Sequence, residues 1–394
     1  MGGGMSRAPA ARTKKAEPRN KLSADMLLLG APSVGKSTVF RQIKLLYRNG
    51  FTPAERKRAR IELRHNLIAS LLKLDEVALE LGLNLTSNDA EEAITRLKLL
   101  LTDYQFDERD DANCVEAQAE GEGGADEETE ESVPFPTSDV LTVFADESIS
   151  KALMAVKAPN FSLAQADSAG RELIQTALPY VMENMDRIVK SDFMASDADC
   201  LHLRRQTTAV EKISFKCSIM MRSKQETVAC TCTDIGGQAQ EQEKWEQYAS
   251  GKDFLVFVAA MSDFDHMLPN GTNALSQQFQ LLRQVLSAKC FASANVIVLL
   301  NKTDVLEEKL RHHQLQDFFD DFVGANTVKD AQMYFQEKCD RLLDEVSAGQ
   351  ECSARRSIQV LPTCALDSEL ISNVLNRALA ASMCSALLSF GLLA

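Results

Sequence analysis

The chain has no apolar run of the roughly 18 residues that a membrane-spanning helix needs. Histidine is scarce, and the five present (His65, His202, His266, His312, His313) fall at no spacing that would gather them on a metal. The ten cysteines contain no paired CxxC arrangement of the zinc type. Cys230 and Cys232 come nearest, but they lie in a strand-like run and face the same side of it. Core thiols are the reading preferred there over metal ligands. No secretory signal opens the chain, and reduced thiols fit a cytosolic compartment. Positive charge is also short: 394 residues carry a net charge of −13, which argues against nucleic acid as a partner. The exception is residues 1–21, where Arg7, Arg12, Lys14, Lys15, Arg19 and Lys21 face one acid, Glu17.

What the sequence does have is core. Apolar residues make up 45% and charged residues 25%, the balance of a globular chain. Six short apolar runs read as buried strands: MLLLG, ISFKCSIMM, TVACTCTDI, DFLVFVAAM, NVIVLLNKTD and SIQVLPTCA. Helical patterns separate the later ones, which predicts an α/β fold on a mostly parallel sheet. After the first strand comes a long interval that reads as helix. It opens with a capping box, Thr52 to Glu55, with Pro53 at the first helical position. Ile68, Leu71, Leu72 and Leu79 then recur as one apolar face. DAEEAITRLKLLLTDY and LIQTALPYVMENMDRIVK supply further helices, and Ser368 to Leu388 a final one. An acidic, glycine-containing stretch near 107–139 holds too little apolar surface to order itself and is expected to be a disordered loop; an acidic binding segment is the alternative. An all-α module, residues 53–196, therefore interrupts an α/β domain formed by 25–52 and 197–394, with a basic segment, 1–24, ahead of it. Without the insertion about 250 residues remain, one domain of ordinary size.

The first chemical motif follows the first strand. Gly30-Ala-Pro-Ser-Val-Gly35-Lys36-Ser37 fits G-x-x-x-x-G-K-[ST] between a strand and a helix. Backbone N–H groups of Ser33, Val34, Gly35, Lys36, Ser37 and Thr38 would cradle phosphates. Lys36 would reach the β- and γ-phosphates, and the Ser37 hydroxyl would bind Mg²⁺. The base is read from Asn301-Lys302-Thr303-Asp304 after the fifth strand. A carboxylate at Asp304 can accept from both guanine N1–H and the exocyclic amine, a donor pair that adenine lacks. Thr363-Cys364-Ala365 follows the last strand and could offer a backbone N–H to guanine O6. Between these, TDIGGQ supplies Asp234 for Mg²⁺, the Gly237 N–H for a γ-phosphate, and Gln238 to orient water. LRRQTT supplies Leu203, Arg204 as a positive charge on the transferring phosphoryl group, and Thr207 as a second Mg²⁺ ligand.

These residues together resemble the α subunits of heterotrimeric G proteins, over nearly the whole chain. GKSTVFRQIKLLYRNGFT, RRQTT, DIGGQ with Lys244-Trp245 following, SDFD at Ser262 to Asp265, NKTD and TCA carry the resemblance, and the inserted helices set it apart from small Ras-like GTPases. The resemblance implies a Ras-like P-loop GTPase domain with an inserted helical domain, and a switch that binds GTP or GDP with Mg²⁺ and hydrolyses GTP. It implies Arg204 as an arginine finger, Gln238 as the catalytic glutamine, and switch segments near 203–210 and 234–250. It also implies βγ subunits, a membrane receptor and an effector as partners, at the inner face of the plasma membrane.

The chain departs from the family pattern at Pro32 and Ser33 in the phosphate loop and at Ala239, Gln242 and Glu243 beyond the glutamine. Those changes, with a short N-terminal helical segment broken by Pro18, leave the βγ partnership less supported than nucleotide binding. They keep open a second reading, a nucleotide-binding scaffold whose switch has decayed. The start MGGGMS matches an N-myristoylation pattern at Gly2, which a basic segment would reinforce; the alternative is a tail that merely begins Met-Gly.

Overall fold

The computed structural model describes residues 23–103, 134–158, 170, 173–204, 210–221, 224–249, 251–292, 294–348 and 358–389. All six expected strands form, as β1 (Ser23–Leu29), β2 (Glu211–Met221), β3 (Lys224–Asp234), β4 (Phe254–Ala260), β5 (Asn295–Asn301) and β6 (Ile358–Pro362). They make one sheet in the order β2-β3-β1-β4-β5-β6. Every neighbouring pair is parallel except β2 and β3, which run antiparallel. The fold class is therefore the one expected, a mostly parallel α/β sheet with a helical insertion.

The near-continuous apolar strands are explained by cover on both faces. Leu27 and Leu29 of β1 join Phe257, Val296 and Val298 in one core, with Trp245, Phe279 and Phe335 packed on them. Met26 and Leu28 point the other way, into a core with Val256, Val258, Ile297 and Leu299. The helix α1 (Lys36–Tyr47) covers that second face with Val39, Phe40 and Ile43. The last helix, Ser368–Ser389, adds Ile371, Val374, Leu375 and Leu379 to the same face, with Leu370 half-buried beside them, as its stripe suggested. Cys230 and Cys232 are buried in this core, as core thiols should be.

The first strand begins at Ser23, three residues before the apolar run that marks it. Ser23, Ala24 and Asp25 pair with Ala229, Cys230 and Thr231, and the Asp25 N–H donates to Asp253 Oδ2 at 2.9 Å. Polar residues at a strand start leave no apolar signal, so the strand extends ahead of the run that marks it.

The inserted helices build a core of their own. The helix α2 (Pro53–Glu80) starts on the expected capping box: the Glu55 N–H donates to the Thr52 side chain, and the Thr52 N–H to Glu55 Oε2. Its Leu63, Leu67, Leu71 and Leu74 are fully buried against Ile94 and Leu97 of α3 (Asn88–Asp103), Val140 and Val143 of α4 (Thr137–Phe144), and Ile149 of α5 (Glu147–Val156). Every buried member of this cluster lies between Ala59 and Cys200.

Two expectations here are corrected. Leu79 does not share the buried face of Ile68, Leu71 and Leu72; it is 55% exposed, because the buried stripe of α2 runs through Leu67, Leu71, Leu74 and Ala78 and leaves Leu79 at its edge. Helix α4 starts at Thr137, inside the stretch near 107–139 expected to be a loop. Phe135 just before it packs on the module core, under the Arg64 guanidinium at 4.6 Å. Residues 107–133 of that stretch lie outside the described residues, as do Gly2 and the basic segment through residue 22. The run from Leu173 is helical but broken, into a single wide turn, Leu173–Ala177, then α6 (Leu178–Glu183) and α7 (Met185–Ile188). Pro179 in the first turn of α6 lacks the N–H that a continuous helix would use.

Candidate functional site

The phosphate loop sits where β1 ends and α1 begins. Its turn needs unusual backbone. Gly30 has φ 147° and Gly35 φ 101°, and a Cβ at either would collide with Val258 O or Asn301 Nδ2. Ser33 is left-handed too, at φ 64°, a conformation that costs a residue with a Cβ roughly 1–2 kcal/mol. The turn leads Ser33 to Gly35 into the start of α1, where free N–H groups and the helix dipole favour an anion. Pro32 lies ahead of Ser33 and is exposed, so it takes no N–H from the run between Ser33 and Thr38.

Lys36 is 5% exposed, and its ammonium donates to Gly30 O at 3.0 Å and Ala31 O at 2.7 Å. It thus spans the mouth of the loop. Ser37 Oγ donates to Asp234 Oδ2 at 3.0 Å, joining the start of α1 to the last residue of β3. Asp234 is 1% exposed, and its other oxygen, Oδ1, has no hydrogen-bond partner among the described residues. Burial pushes its pKa up to about 6, against the pull of Lys36, while Glu211 opposite it on β2 pushes the same way as burial. An orphaned, buried carboxylate oxygen beside a serine hydroxyl is a donor set that suits a hard divalent cation. Thr207, the other expected ligand, lies outside the described residues.

Asn301 closes the site from β5. Its Nδ2 donates to Val34 O at 2.8 Å, and its Oδ1 accepts from the Ala365 N–H at 2.8 Å. One buried amide therefore ties the phosphate loop to the loop after β6. Lys302 turns the chain through φ 64° and caps α8 (Thr303–Leu310), which leaves Asp304 exposed in its first turn. Burial raises the Cys364 pKa, and the neighbouring Asp304 carboxylate adds to it, so these two side chains adjoin. Asn301 is thus bonded to Ala365, and Asp304 lies beside Cys364.

Gly237 lies directly against the loop: a Cβ there would meet Lys36 Nζ and come within 2.6 Å of Gly30 O. Its two flanking peptides are both held. The Trp245 indole donates to Gly236 O at 3.1 Å, and Gln242 Nε2 donates to Gly237 O at 2.8 Å. In a trans peptide the C=O and the next N–H point in opposite directions. Trp245 therefore sets the Gly237 N–H, and Gln242 sets the Gln238 N–H. The Gln238 side chain is exposed, at the start of a short turn of helix. Gln242 stood out in the sequence only as a departure; its hold on Gly237 is not visible there.

Arg204 follows the short helix Asp197–His202 and is half-buried. Two residues the motifs did not single out hold its backbone. Arg41 of α1 donates to Leu203 O at 2.5 Å, and Asn66 of α2 donates to Arg204 O at 3.2 Å. Burial draws the Arg41 pKa down, while Glu62, Glu211 and Asp234 around it oppose that pull.

The chain matches the model of the G-protein alpha subunit over residues 6–381. It is 24% identical over 357 residues to the guanine nucleotide-binding protein alpha-3 subunit of Caenorhabditis briggsae, covering 89% of this chain and 85% of that one. It is 26% identical to the alpha-4 subunit of Dictyostelium discoideum, over 90% of this chain and 88% of that one. A plant relative, the alpha-1 subunit of Lupinus luteus, is also 26% identical, over 88% and 84%. With the sheet, the insertion and the loop geometry in agreement with that match, the chain belongs to the G-protein alpha subunit family.

Proposed function

We propose that this protein is a guanine-nucleotide switch that binds GTP and GDP and hydrolyses GTP to GDP and phosphate. The observation that carries the reading is the Asn301 bridge. It fastens the loop at Val34, read here as the phosphate cradle, to the turn at Ala365, read here as part of the base-reading edge.

In this reading Ser33 to Thr38 receive the phosphates on their N–H groups, and Lys36 swings from Gly30 O and Ala31 O onto the β- and γ-phosphates. Ser37, Asp234 and Thr207 would hold Mg²⁺, which when bound neutralises phosphate charge. Asp304 selects guanine by accepting from N1–H and the amine, and the Ala365 N–H joins it by moving from Asn301 Oδ1 onto guanine O6. Gln238 orients the attacking water, and Arg204 stabilises charge as the γ-phosphoryl group is transferred. The Gly237 N–H faces the γ-phosphate and couples its presence to the segment that follows. The module of residues 53–196 covers the nucleotide and slows its release. Family membership adds βγ subunits, a receptor and an effector at the membrane's inner face as partners, with Gly2 as an acylation point; among the described residues no helix is long and apolar enough to cross a membrane.

A second reading, a scaffold that holds nucleotide without useful turnover, is favoured by Pro32, Ser33, Ala239 and Gln242. The two part on a direct assay. Purified protein should bind GTP and GDP with Mg²⁺ in preference to ATP and release phosphate; tight GTP binding without phosphate release selects the scaffold.

A further inference from the structure

Arg204 lies between two anchored peptides, and the two anchors come from different parts of the chain. Arg41 reaches Leu203 O from α1, the helix that follows the phosphate loop. Asn66 reaches Arg204 O from α2, the long helix of the inserted module. Arg41 is a half-buried cation in an acidic setting, with Glu62 of α2, Glu211 of β2 and Asp234 of β3 around it. Asn66 is 6% exposed and Glu62 is 6% exposed, so both groups from the module are buried. Glu62 and Asn66 are four residues apart, on one face of α2. That face therefore meets both the cation that holds Leu203 and the carbonyl of Arg204 itself.

We propose that Arg41 and Asn66 are positioning residues for Arg204, and that the Asn66 contact makes hydrolysis depend on the inserted module being seated against the GTPase domain. The inference rests on Arg204 acting as the finger. With both flanking carbonyls held, the Arg204 Cα has a fixed position and direction, and its long side chain starts from one place. If α2 withdraws, the Arg204 carbonyl loses its donor, and Arg41 loses Glu62 from its surroundings. Opening the module would then loosen the finger in the same motion that uncovers the nucleotide. GTP hydrolysis is restricted to the closed form, where the nucleotide is held.

A double-mutant cycle tests this on the full-length protein, by single-turnover GTP hydrolysis with Mg²⁺ and by equilibrium binding of a non-hydrolysable GTP analogue. Asn66→Ala should slow hydrolysis by about tenfold while analogue affinity changes less than about threefold. Arg41→Met should slow it at least as much, and Arg41→Lys, which keeps a charged donor, should recover part of the loss. In an Arg204→Cys background, Asn66→Ala should have no further effect, because the group it positions is gone. A thermal melt and retained analogue binding show that each variant is folded. The inference is overturned if Asn66→Ala leaves hydrolysis unchanged, or slows it by the same factor with and without Arg204. If Arg204→Cys alone does not slow hydrolysis, the assignment of the finger itself fails, and the role of both anchors fails with it.

Discussion

Gln242 donates its side-chain amide to the carbonyl of Gly237 at 2.8 Å, across one turn of chain. The bond sets the peptide that carries the Gln238 N–H, just as Trp245 sets the one before it. The hold is neutral on both sides, so it depends little on salt. Gln242→Ala should slow GTP hydrolysis by about fivefold, the worth of one ordinary hydrogen bond, with GTP affinity nearly unchanged. Single-turnover phosphate release at low and high salt measures it; an equal loss of affinity would place Gln242 in binding rather than in the switch.

Asp304 sits exposed at the mouth of the cleft, beside Cys364. As a carboxylate it accepts from guanine N1–H and the amine. Asp304→Asn presents a donor where the amine donates, and should cost about 1.5–3 kcal/mol in guanine nucleotide affinity, since the base donors lose their charged acceptor. The same change should gain affinity for xanthine nucleotides, whose C2 carries a carbonyl. Competition binding with the two nucleotide series reads both effects, and unchanged guanine preference would remove Asp304 from base recognition.

Pro32 is exposed and precedes the N–H groups that face phosphate. It adjoins Ala31, whose backbone packs on Gly237. Pro32→Gly should therefore change the hydrolysis rate by more than it changes GTP affinity. The reverse order, a large loss of affinity with normal turnover, would put the proline in the cradle itself.

Asp199 anchors the short helix that delivers Leu203 and Arg204. Burial alone would raise its pKa, but both Arg187 nitrogens at 2.7 Å, the Ser196 N–H at 2.7 Å and the Tyr180 hydroxyl at 2.8 Å outweigh that and hold it at about 2. A carboxylate depressed in the folded state adds stability above its unfolded pKa, near 4, and loses it as pH falls through about 2. Asp199→Asn should thus cost about 2 kcal/mol at pH 7. Urea unfolding at pH 7 and pH 3 should give a smaller difference at the lower pH; an equal difference at both would assign the loss to packing.

Much of this architecture was legible from local pattern. β1, β4 and β5 announced themselves because both sheet faces are covered there, which makes them apolar almost throughout, while β2 shows the alternation of a strand with one exposed face. The phosphate loop, Asn301 to Asp304 and Thr363 to Ala365 each follow a strand end, and a parallel sheet gathers its carboxyl ends at one edge. Local pattern failed where burial depends on a distant partner. Leu79 keeps the helical period of Ile68 and Leu72 but lies at the edge of the stripe that α2 buries. Ser23 and Asp25 belong to β1 through pairing with Ala229 and Thr231, not through their own chemistry. Arg41 and Asn66 reach residues 162 and 138 positions away. In sequence, one is a basic residue in an amphipathic helix and the other an asparagine among leucines.

The account turns on Arg204 supplying charge to a reaction that still runs. The most direct measurement is phosphate release in a single turnover from GTP-loaded protein with Mg²⁺, compared with Arg204→Cys. G-protein α subunits with their arginine in cis turn over on the order of 10⁻² s⁻¹, and an arginine finger contributes about 10³-fold or more. The account predicts a first-order release of that order for the natural sequence, and a loss of at least about a hundredfold in the variant with GTP still bound. GTP that stays intact for hours on the natural protein, or equal rates in the two, would contradict it.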